Sequence, residues 1–245
     1  MRCGDTLDRQ AGQLLGGSCR TCRLAPPPFV RAVAFGPYRG RMRDAIHALK
    51  YERLHPAAQR LGALLARAIA QMAGEAPAEM LVVPVPLHRS KYAQRGFNQA
   101  RTLAAAAIRE LEKTDPAWKL TLAPQTLMRL RATRTQAGLT PRQRRLNVRR
   151  AFQVSDAPAV LQRHVLLVDD ILTTGATARA AAQALLEAGA ASVRVATLAR
   201  ARRVDDMRQD RVEKAAERGA KTQQVAFAQR AHKGFRDSLQ DHPSF

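Results

Sequence analysis

Apolar positions along this chain follow two alternating patterns. Short, nearly continuous apolar runs, FVRAVAF from Phe29, MLVVPVP from Met80, AFQV from Ala151, HVLLV from His164 and ASVRVATLA from Ala191, have the length of strands, and HVLLV and MLVVPVP read as fully buried ones. Between them lie longer stretches in which apolar residues return every three or four positions. Residues 57–73, AAQRLGALLARAIAQMA, set Leu61, Leu64, Leu65 and Ile69 on one face, as an amphipathic helix does. RMRDAIHALKYER, GFNQARTLAAAAIRELEK and TARAAAQALLEAG read as further helices, with GPYRG a turn after the first strand and Gly189 ending the last helix. Strand and helix in alternation predict an α/β fold, a mostly parallel sheet with helices on both faces. In such sheets ligands bind beyond the carboxyl ends of the strands.

Both ends of the chain depart from this alternation. Residues 1–25 carry three cysteines and little apolar periodicity, and Pro26-Pro27-Pro28 forms a stiff, extended linker behind them. The alternating part spans 29–202. Residues 203–245 are polar and mixed in charge, so a helical or disordered tail is expected there.

Composition places the chain among globular proteins, with 46% apolar residues but only 4% aromatic ones. No apolar run reaches membrane-spanning length, and MRCGDTLDRQ lacks the basic start and apolar stretch of a signal peptide. A cytoplasmic protein without a membrane partner is the expectation. The net charge of +21 has two readings: arginine used freely along the whole chain, or a basic surface that attracts phosphates. One segment concentrates the charge, because Arg129 to Arg150 holds eight arginines and no acid. It reads as a loop closing over an anion, or as a solvated helix face.

The cysteines suggest metal chemistry. Cys19 and Cys22 form a C-x-x-C knuckle, and Cys3-Gly4 looks like the second half of another knuckle whose first cysteine would precede Met1. Tetrahedral zinc takes four ligands, and Cys3, Cys19 and Cys22 supply three. Two readings stay open, a start placed one residue late and a ribbon remnant that binds no Zn2+.

The sharpest chemical signal is HVLLVDDILTTGAT, residues 164–177, where a buried strand runs into two adjacent carboxylates and then into a loop of small and hydroxyl residues. A loop of that kind, leading into a helix, can hold a phosphate on its backbone N–H groups with help from the helix dipole. Thr173, Thr174 and Thr177 add hydroxyls, while Asp169 and Asp170, repelled by the same phosphate, need sugar hydroxyls or a metal. A phosphorylated sugar offers both features.

VLLVDDILTTGAT resembles the signature of the type I phosphoribosyltransferases, which bind 5-phosphoribosyl 1-pyrophosphate with Mg2+. VVPVPLHRSKYAQRGFNQA and LRATRTQAGLTPRQRRLNVRRAF resemble two further segments of one branch, the ComF family, and with the cysteine ribbon the resemblance covers residues 1 to about 200. It implies that Asp169 and Asp170 hold the ribose and that Thr173, Thr174, Gly175, Ala176 and Thr177 hold the 5′-phosphate. Arg89, Lys91 and Arg95 would then approach the pyrophosphate, with Asn98 and Gln99 donating hydrogen bonds, because fixed cations stabilise a leaving group that gathers negative charge. Arg131, Thr133, Gln136, Arg144 and Asn147 match the flexible segment and would form a lid. If the protein is an enzyme, a nitrogen nucleophile displaces pyrophosphate at the anomeric carbon. The other reading is a non-catalytic sensor of the sugar phosphate whose basic surface engages single-stranded DNA or proteins of DNA uptake, the process with which the ComF family is linked.

Two competing assignments are weaker. A receiver domain also places acids at a strand end, but it needs a second acidic strand end and a late lysine, neither of which is present. His88 beside a strand end suits a structural or solvated role better than that of a base.

Overall fold

The computed structural model describes residues 3–4, 20–51, 55–131 and 151–201. The chain divides into Met1–Ala201 and Arg202–Phe245, and every described residue belongs to the first unit. The expected tail over 203–245 lies outside the described residues.

After a short helix α1 (Arg20–Leu24), the elements run β1 (Arg31–Pro37), α2 (Gly40–Tyr51), α3 (His55–Ala70), β2 (Glu79–Pro84), α4 (Arg89–Arg95), α5 (Gln99–Thr114) and β3 (Lys119–Leu122). They continue as β4 (Leu127–Arg129), β5 (Phe152–Val154), α6 (Ala157–Val160), β6 (His164–Leu172), α7 (Ala176–Glu187) and β7 (Ser192–Arg200). Five strands form a parallel sheet in the order β1-β7-β6-β2-β3, which is the expected α/β architecture. β4 and β5 pair antiparallel as a separate ribbon, Leu127 opposite Val154 and Arg129 opposite Phe152. The arginine-rich segment therefore leaves from one strand of this ribbon and returns into the other.

Burial on both faces explains why β6 reads as an unbroken apolar run. Val165 and Leu167 face one core with α7 and the ribbon, while Leu166 and Val168 face a second core with α2, α3 and α5. All four are fully buried. In that second core α3 and α5 approach closely at Gly62, where an added Cβ would stand 2.3 Å from the Cβ of Ala106. Trp118 closes the same core, its indole N–H donating to the Pro77 carbonyl at 2.9 Å.

The order of the strands creates a crevice. From β2 the chain crosses through α5 to β3 on one side, and from β6 it crosses through α7 to β7 on the other, so the direction reverses between β2 and β6. Ligands bind at such a switch point in open α/β sheets. β2 also stops short. Its pairing with β6 ends at Pro84 opposite Val168, and after the Val85 N–H reaches the Val168 carbonyl, Pro86 has no N–H to offer. β6 continues beside β7 from Asp169 opposite Thr197 to Leu172 opposite Arg200. The strand expected to end at Val168 thus carries both aspartates onward, with its β2 side open.

Candidate functional site

A cleft of about 200 Å³ lies at this switch point. Its walls come from the residues after β2, the end of β6, the start of α7, Lys50 of α2 and Arg129 of β4. Asp169 and Asp170 line it as half-buried residues, and the carboxylate of Asp169 accepts the backbone N–H of Asp170 at 2.8 Å. Burial of that carboxyl, and then the neighbouring charge of Asp170, push its pKa up to about 8.

Asp170 is tied differently. The Lys50 ammonium lies 2.6 Å from its Oδ2, with both side chains largely out of solvent. Burial alone would lower the pKa of Lys50, but the attraction and hydrogen bond of Asp170 outweigh it and hold the amine above its usual range. Sequence reasoning missed Lys50. A signal existed, because Lys50 follows the fully buried Ile46 by one helical turn, and a lysine on a helix's buried face needs an anionic partner.

Beyond the aspartates the chain turns into the phosphate-type loop. Gly175 caps α7 with φ 76°, a left-handed conformation that a side chain would strain. Thr173, Gly175, Ala176 and Thr177 line the cleft. Thr174 does not line it, and its hydroxyl accepts the Ala176 N–H at 3.3 Å. Arg200 at the end of β7 donates to the carbonyls of Leu172 and Thr173, which fixes the loop from the sheet side. No local pattern in the sequence marks Arg200, since its role follows from lying opposite Leu172 in the sheet.

The other wall is cationic. Helix α4 and its left-handed cap Gly96 bring Lys91 and Arg95 to the cleft, whereas Arg89 is exposed and does not line it. Arg95 donates to Gln99 Oε1 at 3.2 Å, and Gln99 is 2% exposed with its Nε2 unpartnered among the described residues. A buried amide donor without a partner lies at the margin of what folding tolerates, so a ligand acceptor would stabilise it. Asn98 lines the cleft too, but its amide serves the backbone: Oδ1 caps α5 by accepting the Ala100 and Arg101 N–H groups, and Nδ2 donates to the Val85 carbonyl. Arg129, which opens the acid-free run, reaches the same cleft and stacks on Phe152 at 5.4 Å. Burial, followed by repulsion from Arg129, Arg95 and Lys50, holds the Lys91 amine below its usual range. Such a wall favours an anion.

His88 caps α4, with the Ser90 N–H donating to its Nδ1, in the structural role expected of it. Of the lid residues, Arg131 is exposed at the end of the ribbon, and Thr133, Gln136, Arg144 and Asn147 lie outside the described residues. Cys22 is buried in α1 and Cys3 is half-buried, while Cys19 lies outside the described residues. Arg179 of α7 donates to the Ala25 and Pro26 carbonyls, anchoring the proline linker beside the cleft's helix. No helix among the described residues is long and apolar enough to cross a membrane.

Residues 98–233 match the family model described as phosphoribosyl transferase domain. The "DNA utilization protein YhgH" of Salmonella typhi is 36% identical over 184 residues, 74% of this chain and 77% of that protein. The "Competence protein F" of Haemophilus influenzae is 28% identical over 202 residues, 81% of this chain and 83% of its own length. A solved structure titled as that of the allosteric regulatory enzyme of purine biosynthesis overlaps in part, at 26% identity over 58% of this chain and 25% of that chain, with a TM-score of 0.35.

Proposed function

The chain belongs to the phosphoribosyl transferase domain family, in its ComF branch, and from that premise we propose that the cleft binds 5-phosphoribosyl 1-pyrophosphate. One observation carries the reading. A single cleft at the switch point joins an acid pair, a glycine-capped helix start and a wall of cations, and these match the three chemical parts of that molecule. Asp169 and Asp170 accept the 2′ and 3′ hydroxyls of the ribose. Amides and hydroxyls from Thr173 to Thr177 take the 5′-phosphate, and Lys91, Arg95 and Arg129 face the pyrophosphate, where the idle Nε2 of Gln99 adds a donor.

The donor set suits Mg2+ that arrives with the ligand. Among the described residues no group of three or more His, Cys, Asp or Glu is arranged to hold a metal, so the pyrophosphate's own oxygens would carry the ion into the cleft. Mg2+ bound there would offset charge on the leaving group.

The same arrangement suits phosphoribosyl transfer. A nitrogen nucleophile forms a bond to the anomeric carbon as the bond from that carbon to pyrophosphate breaks, pyrophosphate keeps the electron pair, and the nitrogen yields a proton. The carboxylates lie on the sugar side, where positive charge develops, and the cations lie on the leaving-group side. Calorimetry with 5-phosphoribosyl 1-pyrophosphate and Mg2+ tests the binding. Above about pH 8, where the Asp169 carboxyl is ionised, Asp169→Asn combined with Asp170→Asn should weaken it strongly, because each charge-assisted hydrogen bond contributes about 1.5–3 kcal/mol. Equal affinity in wild type and double variant would remove the ribose contact. Pyrophosphate release that depends on an added base supports an enzyme, and binding without release supports a sensor.

The names of the relatives favour a second, compatible role in handling DNA. The basic chain would bind single-stranded DNA through its phosphates, with Arg142, Arg144 and Arg145, outside the described residues, as the first positions to replace.

A further inference from the structure

We propose that Lys50 is a positioning residue of the ribose site, fixing the orientation of Asp170 and setting a positive charge against the acid pair so that the pair can accept sugar hydroxyls. The proposal rests on the ribose-phosphate reading of the cleft. Its basis is geometric. α2 is anchored in the core by Ile46 and Leu49, and this rigid helix delivers the Lys50 ammonium to within 2.6 Å of Asp170 Oδ2. Asp169 is held from the other side, through the Asp170 N–H on its Oδ1. The two carboxylates are adjacent in sequence and share one buried strand end, so each opposes the other's ionisation, and the Asp169 carboxyl holds its proton to about 8 even with Lys50 in place. Lys50 places a positive charge against Oδ2 of Asp170, which eases ionisation of the neighbouring Asp169, and leaves the second oxygen of Asp170 available.

The surrounding charges define what Lys50 alone contributes. Tyr38, just after β1, acts on Lys50, while Lys91 from α4 lies near Asp170, Arg129 from β4 near Asp169, and Arg95 beside Lys91. Those from α4 and β4 belong to the pyrophosphate wall, and a bound pyrophosphate would draw on their charge. Lys50 makes a direct ion pair with Asp170.

The sign of the effect is fixed. Carboxylates accept the sugar hydroxyls best when ionised, and a cation favours their ionised form. With Lys50→Met the pair keeps its proton to higher pH, and affinity for the sugar phosphate falls away earlier as pH is lowered. Lys50→Arg preserves the charge and should preserve the profile.

Two measurements test this separately from the ligand reading. In the ligand-free protein, carbon NMR of labelled aspartate follows the titration of the pair, and Lys50→Met should move its midpoint up by about one pH unit or more, a tenfold change in the ratio of ionised to neutral form. Calorimetry with 5-phosphoribosyl 1-pyrophosphate and Mg2+ from about pH 5 to about pH 9 should show the acid limb of affinity moving the same way, with Lys50→Arg restoring it. The ligand's own ionisation is common to all variants, so the difference between profiles reports the protein. An unmoved midpoint in Lys50→Met overturns the proposal and leaves the ligand reading intact, whereas absence of binding by the wild type at every pH overturns the ligand reading and the ribose role of Lys50 with it. Should Lys50→Met fail to fold, the Nζ resonance of Lys50 in the wild type decides. It must shift as the acid pair titrates, and a resonance indifferent to that titration overturns the proposal.

Discussion

Asp169 and Lys91 show how single residues of this cleft trade stability for binding. The Asp169 carboxyl has a folded pKa of about 8, above its ordinary range, so its neutral form is the one the fold favours. Its stabilising contribution is therefore full below the unfolded pKa near 4 and is lost as pH rises towards 8. Asp169→Asn keeps the acceptor for the Asp170 N–H and cannot ionise. Its melting temperature should exceed that of the wild type by a margin that widens from about pH 4 to about pH 8, where each 1 kcal/mol corresponds to about 2–4 °C at this size. A margin that stays constant with pH would show that Asp169 does not titrate in that window. Lys91 follows the same logic with the opposite charge, since burial and three neighbouring cations disfavour its ammonium. Lys91→Met should melt no lower than wild type in the absence of ligand, yet bind 5-phosphoribosyl 1-pyrophosphate more weakly. Paired melting curves and titrations would reveal a stabilising Lys91 if the empty variant melted lower.

Elements hold the site through two glycines with different reasons. At Gly62 the reason is space, because α3 meets α5 where a methyl would collide with Ala106. Alanine in an exposed helix position is better than glycine by about 1 kcal/mol, but overpacking costs about 1–3 kcal/mol. Gly62→Ala should therefore be neutral to destabilising by up to about 2 kcal/mol in urea unfolding, and a clear gain would mean that the helices part at no cost. At Gly175 the reason is conformation, since the nearest atom to an added Cβ is 3.8 Å away but φ is 76°. Gly175→Ala should cost about 1–2 kcal/mol of stability and weaken binding of ribose 5-phosphate, because the start of α7 turns away from the cleft. Calorimetry with ribose 5-phosphate isolates that half of the ligand.

The whole molecule adds long-range charge. A chain of net charge +21 attracts any polyanion, and neutralising its phosphates releases counterions. Binding of single-stranded DNA should be tolerant of sequence and fall steeply with salt. Replacing Arg142, Arg144 and Arg145 by alanine should lower the slope of log affinity against log salt by about 0.7 for each phosphate that the variant no longer neutralises. An unchanged slope would place the DNA elsewhere on the surface.

Local pattern alone determined the elements with strong periodicity and the chemistry that is contiguous in the chain. The buried run of β6, the face of α3, and the order of acids, hydroxyls and glycine from Asp169 to Thr177 are all readable because neighbours in sequence remain neighbours in a strand or a loop. β3, β4 and α4 escaped because three to seven residues of mixed polarity carry no distinguishable period. Lys50 and Arg200 escaped for a different reason, whereas Arg129 was legible as the start of the acid-free arginine run but not as a wall of this cleft. Lys50 and Arg200 reach the site from elements far away in the chain, and only the packing of α2 on the sheet and the register of β7 bring them there. The charge state of the acid pair belongs to the tertiary structure as well, since burial and the approach of Lys50 set it and neither exists in an extended chain.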